Sequence, residues 1–407
     1  MKLHHLPRLT TVALGLALAA TGAQATNGYF AHGYGIKAKG MGGASVAMTH
    51  DAFAGANNPA AAAFAGNRWD LGAEIFSPKR SATRTMGGQQ VAHVESDKNY
   101  FLVPEFGYNM AYSDKIGLNL TVYGNGGMNT EYPTNILNGQ GKMGVDLMQL
   151  IVAPTVAYKL TERTALGVTP LLVYQQFEAY GLQGFGIQSG GNNLGTESSS
   201  GFGVRLGYIN KLSDTTSIGA SYSPKVNMGR FKKYAGLFAE SGDFDIPANY
   251  AVGMSFQATP SVQVALDYQR IEYSGVASVA NPSNPILQGV PLGSPNGSGF
   301  GWQDINVVKL GVQWEMSPTL TLRAGYNRGD NPIRAADVTF NILAPGVMEQ
   351  HFTLGGTMKL SKTDELSGFF MHAKKNSVSG PMLLMPGVTD SIEMSQNSLG
   401  LQYSKKF

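Results

Sequence analysis

The sequence contains no cysteine, which excludes disulfides, thiolate zinc sites and cysteine nucleophiles. Charge is sparse, at 14% of residues against about 25% in ordinary soluble domains. Basic residues are scattered and the formal net charge is only +3, so the basic footprint of a nucleic-acid binder is absent. No segment can span a membrane as a helix. The apolar stretch Val12–Ala20 falls short of the roughly 20 residues such a span needs. What is abundant is glycine, 52 of 407 residues, with 18 tyrosines and 19 phenylalanines. Much glycine, many aromatics and little charge suit a membrane β-barrel.

The first residues carry an export address. Lys2 and Arg8 form a basic start, Val12–Ala20 an apolar middle, and Ala23-Gln24-Ala25 a small-residue cleavage site. Residues 1–25 are therefore expected to be a signal peptide. Its removal lowers the formal charge from +3 to +1.

The remainder alternates. In Asn306–Trp314, Val308, Leu310, Val312 and Trp314 share one face, with Lys309, Gly311 and Gln313 on the other. The pattern recurs in Leu320–Asn327, around Phe352–Leu360 and in Phe202–Tyr208. Long strands with one apolar and one polar face fit lipid outside and a polar interior. The final stretch Ser398–Phe407 alternates too and ends in an aromatic residue. It resembles the C-terminal signal read by the barrel-assembly machinery of Gram-negative bacteria. Six short turns, near residues 114, 162, 214, 260, 318 and 362, alternate with seven long polar stretches. The stretches are 81–99, 125–146, 181–200, 232–245, 277–303, 330–347 and 377–390. The expected fold is all-β: a 14-stranded antiparallel transmembrane barrel over 69–407, both chain ends periplasmic.

Residues 26–68 do not alternate. Their start is glycine-rich, Asp51 can cap a short helix, and Asn58-Pro59 is a helix start with asparagine at the N-cap and proline at N1. Ala60–Ala63 would make a slim helix. A 14-stranded barrel has a wide lumen unless something fills it. This segment is read as an N-terminal lumenal plug, with a periplasmic tail as the alternative.

The segment NGYF…GYGIKAKGMGGAS…DA…NPA, with Gly40–Ser45, Asp51-Ala52 and Asn58–Ala60 as its most specific parts, resembles the FadL-type outer-membrane transporters of long-chain fatty acids. That family includes relatives that take up aromatic hydrocarbons. The resemblance implies capture of a hydrophobic small molecule by extracellular loops, a hatch, and lateral exit into outer-membrane lipid beside a kinked third strand. It implies passive transport, with no cofactor. Asn27, Gly28, Asp51, Asn58 and Pro59 are then the hatch-gating positions. Gly124, Gly126 and Gly127, in a stretch able to bend, are candidates for the lateral opening, or merely begin a loop. A monomer is expected.

Face assignment turns Glu105, Asn109, Asn119, Arg205, Asp267, Lys309, Arg323 and Lys359 inward, since a charge facing lipid at mid-depth costs about 2–4 kcal/mol. Arg205, Lys309 and Arg323 are candidate partners for a fatty-acid carboxylate, or members of an internal ion network with Glu105 and Asp267. Phe30, Phe53 and Phe64 are candidate apolar ligand contacts, although Phe53 and Phe64 can equally pack the plug. The histidines form no catalytic spacing. Gly40–Gly43 follows no strand, and Gly139–Lys142 lacks the hydroxyl residue of a phosphate loop. Asp243 and Asp245 are too few for a metal site. A general diffusion porin is the competing function, and an enzyme is not expected.

Overall fold

The computed structural model describes residues 26–185 and 194–407. The expected signal peptide lies outside them, as does part of the stretch expected as a loop at 181–200. Fourteen strands form the wall. They are β1 (Arg68–Met86), β2 (Phe101–Ala111), β3 (Ile116–Tyr132), β4 (Met143–Lys159), β5 (Thr164–Tyr180), β6 (Glu197–Lys211) and β7 (Thr216–Ser223). The others are β8 (Asn249–Thr259), β9 (Val262–Ile271), β10 (Ile305–Glu315), β11 (Leu320–Gly329), β12 (Gln350–Lys359), β13 (Asp364–Pro381) and β14 (Val388–Lys406). Each pairs antiparallel with the next, and β14 pairs with β1 from Arg68–Lys406 to Met86–Val388, which closes the barrel. Two short strands, Gln89–Glu95 and Asn227–Met228, extend the rim.

The side-chain distribution is that of a membrane barrel. Leu71, Ile75, Leu172, Leu206, Val308, Leu310, Leu354 and Leu401 are exposed on the outer face. Glu74, Glu105, Asn109, Arg205, Asp267, Lys309 and Gln402 are buried inside. Closure pairs the strands all round the wall except along one stretch of β2 and β3, and pairing matters in lipid, where a lone backbone polar group costs several kcal/mol. The short turns share a device. Ser113, Thr161, Ser317 and Ser361 each accept, at the side-chain oxygen, the backbone N–H three residues on, at 3.0–3.1 Å. Such hydroxyl-capped turns hold a tight reversal without a positive φ.

At the opposite end the strands overrun the expected loops. β3 continues to Tyr132, β4 starts at Met143, β13 reaches Pro381 and β14 starts at Val388. Above the membrane the outward face needs no apolar residues, so alternation lapses while pairing goes on. Exposed Ser379, for instance, donates to Ser391 across β13 and β14 at 2.8 Å.

Residues 26–67 lie inside this wall as three single-turn helices and connecting turns. The helices are α1 (Ile36–Lys39), α2 (Ala54–Asn57) and a 3-10 turn, Pro59–Ala63. Most of their residues are buried against inward-facing wall side chains.

Candidate functional site: hatch, wall window and loop cavities

The Pro59–Ala63 turn fits because both surfaces are small. Asn58 Oδ1 accepts from Ala60 N at 3.1 Å, and Pro59 opens the turn. The Asn58 amide also donates to Val46 O at 2.7 Å and to Tyr208 O, on β6, at 2.9 Å. Glycines on three strands make room. A Cβ at Gly117, Gly167 or Gly207 would lie 2.3, 2.3 and 2.2 Å from Ala62 O, Pro59 C and Asn58 Oδ1. Asp51 likewise joins hatch to wall, accepting from Phe53 N at 3.0 Å and from the Gln402 amide at 3.2 Å.

Ion pairs anchor the helix α1. Lys39 Nζ lies 2.6 Å from Glu74 on β1 and 3.0 Å from Glu105 on β2. Lys37 Nζ lies 2.6 Å from Glu365 on β13. These charges are buried and hydrogen-bonded, the condition under which a buried ion pair is tolerated.

The wall has a window. β2 and β3 pair only from Ala111–Gly117 up to Phe106–Val122. Beyond that point β2 pairs with β1 alone, as far as Phe76–Phe101. β3 carries a bulge there: Gly124 pairs with Leu150 and Gly126 with Gln149, leaving Asn125 as the extra residue. A bulge bends its strand, and the bend separates β3 from β2. The gap is closed above, where Asp97 N donates to Glu131 O at 2.8 Å. Its inner side is covered by the hatch. Phe30 bridges Gly126, Ala31 N donates to Asn125 O, and Gly127 N donates to Tyr29 O, both at 3.1 Å.

Two apolar cavities flank this contact. One, small at about 20 Å³, lies between β1, the bent part of β3 and inner loops, lined by Phe76, Arg80, Met128, Trp302, Pro345 and Met394. The other, small at about 30 Å³, lies among the long loops, lined by Val145, Phe177, Phe238, Phe300 and Phe340 with no charged residue. Aromatic rings run between them. Tyr29 packs on Phe244, Tyr273 and Trp302 with ring centroids 6.1, 5.4 and 6.0 Å away. Gly28 is required at this junction. Its φ is +64°, and a Cβ would lie 2.3 Å from the Tyr273 hydroxyl oxygen, which donates to Asn27 O at 2.6 Å.

The family model of the outer membrane protein transport proteins (OMPP1/FadL/TodX) matches residues 12–407. The chain belongs to this family. No curated protein sequence matches it. Among solved structures, the Pseudomonas putida toluene transporter TodX is 21% identical with a TM-score of 0.69, over 94% of this chain and 100% of that one. The Ralstonia pickettii toluene transporter TbuX is 18% identical at 0.67, over 92% and 99%. A Pseudomonas aeruginosa FadL homologue is 12% identical at 0.72, over 93% and 100%. All three share the fold, and the family places the chain in the outer membrane as a transport protein.

Within this FadL/TodX barrel the lumenal cations meet the hatch and the wall. Arg205 donates to Ala56 O and, at 3.2 Å, to the Tyr123 hydroxyl, with its guanidinium 5.8 Å from the Tyr34 ring. Lys309 Nζ donates to His32 O at 3.0 Å and faces Asp267 across the β9–β10 register. Arg323 donates to Gln313 and Thr357 at 2.9 and 2.6 Å, beside a polar vestibule under the hatch. None of the three lines either apolar cavity. Phe53 is buried against Gly35 within the hatch. Phe64 sits at the short-turn end of the barrel under the Lys159 and Lys211 ammoniums, 5.5 and 4.2 Å from its ring centroid. Phe30 alone of the three phenylalanines lies at the window. The sequence reading passed over Lys39 and Arg80. Both carried a signal: Lys39 in the KAKG motif, and Arg80 in the inward series Asp70, Glu74, Phe76, Arg80 of β1.

Proposed function

We propose that this FadL/TodX-family protein takes up hydrophobic compounds passively, long-chain fatty acids foremost. The ligand enters the loop cavity, passes the Tyr29–Trp302 aromatics to the inner cavity, and leaves sideways through the β2–β3 window into the outer membrane. The observation that carries this reading is the window itself: unpaired between Phe106–Val122 and Asp97–Glu131, and covered by Phe30 of the hatch. A water-filled porin has no use for an apolar path ending in its wall. An aromatic-hydrocarbon channel is the second reading. It is favoured by the uncharged lining of the loop cavity and by the toluene transporters among the similar structures.

The test is uptake of labelled oleate and labelled toluene by Gram-negative cells lacking their own hydrophobic-solute transporter. The protein has no cysteine, so a Phe30→Cys/Gly126→Cys pair can be locked and released cleanly. Bridged residues in antiparallel contact are within disulfide reach. Oxidation is expected to stop uptake and reduction to restore it. Uptake indifferent to the lock, or large steady conductance in the resting protein, would overturn the hatch-and-window path.

A further inference from the structure

We propose that the Arg80 guanidinium, at the upper corner of the wall window, binds the carboxylate of a passing hydrophobe and so selects acids over neutral compounds. This rests on the transport path above and adds to it a headgroup site on β1.

Arg80 is 4% exposed and, among the described residues, is the only charged side chain lining the inner cavity. Phe76, Met128, Trp302, Pro345 and Met394 supply an apolar surround. Its guanidinium donates to two backbone carbonyls, Asn129 O on β3 and Lys98 O, and at 3.4 Å to Asn99 Oδ1. It therefore straddles the top of the window. Its Nε–H has no partner. Among the described residues it forms no ion pair. The nearby carboxylates are engaged elsewhere: Asp146 by Lys98 at 3.4 Å, and Glu131 by Lys98 and Lys142 at 3.7 and 2.8 Å.

A buried, unneutralised cation costs several kcal/mol. A carboxylate at that point would remove the cost and occupy the unused donors. The other lumenal cations are placed differently. Arg205 is enclosed by tyrosines and a hatch carbonyl, Lys309 faces Asp267, and Arg323 borders the polar vestibule. Arg80, set 5.6 Å from the Phe101 ring centroid, combines a charge that has no anionic partner with an apolar cavity and an exit. A carboxylate head would meet Arg80 there, and its tail would have to part Phe76 and Trp302, since the cavity is only about 20 Å³.

The experiment measures binding of dodecanoate and dodecanol, matched in chain length, to the purified full-length barrel in a non-ionic detergent. Trp302 lies in the cavity, so tryptophan fluorescence reports occupancy. The wild type is expected to prefer dodecanoate by about tenfold or more, the size of a charge-assisted hydrogen bond. Arg80→Met should bring the two affinities together while dodecanol binding holds, which also certifies a folded pocket. Arg80→Gln, which keeps donors for the two carbonyls, should lose the preference as well. Arg80→Lys should retain part of it. Equal wild-type affinities, or a preference that survives both neutral variants, would reduce Arg80 to a clamp on the window carbonyls and overturn the inference alone. Failure of the wild type to bind either amphiphile would overturn the transport reading with it.

Discussion

Lys39 of the hatch stands 2.6 Å from Glu74 and 3.0 Å from Glu105, and those two carboxylates belong to adjacent strands, β1 and β2, the second of which borders the wall window. Burial works against the ammonium, but Glu105 and Glu74 outweigh it, so the Lys39 pKa is raised above its ordinary value. One side chain thus ties the hatch to both β1 and β2.

Lys39→Met should therefore cost about 3–5 kcal/mol, because it leaves two buried carboxylates facing each other without a cation. The barrel ladder is untouched and should still assemble. The expected result is a lower melting transition with raised ion conductance, partly rescued by adding Glu74→Gln and Glu105→Gln. A single variant that melts and conducts like the wild type would show that the triad does not hold the hatch.

The hatch also depends on what the wall omits. A Cβ at Gly207 would lie 2.2 Å from Asn58 Oδ1, so Gly207→Val should displace the Pro59–Ala63 turn. Asn58→Ala removes the cap and two amide donors while leaving the space open. Loss of an N-cap costs about 1 kcal/mol, and the unpaired Val46 and Tyr208 carbonyls add to it. Both variants should open the lumen, Gly207→Val the more, as read by single-channel conductance in planar bilayers. The reverse order would show that the cap, not the fit, governs retention.

Much of this was readable beforehand, for identifiable reasons. Period-2 alternation and hydroxyl turns mark strands, because lipid and periplasm constrain them residue by residue. The fourteen strands followed from that alone. The window did not. It arises from a one-residue mismatch between Gly124–Gly126 and Leu150–Gln149, and a register slip leaves no trace in one strand's composition. The glycines of 124–127 showed that the chain could bend, not which neighbour it would leave. Partner choice among buried charges was equally hidden. Lys309 and Arg205 were recognisable as lumenal, but their carbonyl partners, His32 and Ala56, come from a segment over 140 residues away in sequence.

His32 and His351 stack within the barrel, ring centroids 6.3 Å apart and planes 12° from parallel. Burial holds the His32 pKa well below its ordinary value, and His351, Lys39 and Lys309 add positive charge that deepens the shift. A released hatch would titrate near the ordinary pKa of about 6.5. A histidine depressed in the folded state stabilises fully above that pH and loses the contribution as pH falls below it. Hatch retention should weaken between about pH 6.5 and 5. Amide exchange in residues 26–67, corrected for intrinsic rate, should rise on acidification. His32→Phe should reduce the response, with His50 of the same segment, its pKa likewise lowered by burial, keeping part of it. An unchanged response in that variant would assign it to other groups.

Asn125 is the residue that makes the bulge, and it is also fastened to the hatch. Its carbonyl accepts from Ala31 N at 3.1 Å, its Oδ1 accepts from the Tyr34 hydroxyl at 2.9 Å, and its amide donates to Gln149 at 3.0 Å. Deleting it would restore an even register between β3 and β4. The straightened β3 could then continue its ladder with β2 above Val122, since Phe101–Glu105 offers an edge paired only with β1. New ladder bonds should offset the lost hatch contacts, so the deletion variant should fold with near-normal thermal stability. Its window would be closed. Uptake of the transported hydrophobe should fall to the level of cells without the protein, while ligand still binds the loop cavity, as read by fluorescence. Undiminished uptake by a folded deletion variant would mean that the ligand leaves through the periplasmic vestibule beneath Arg323, and that the wall window is not the exit.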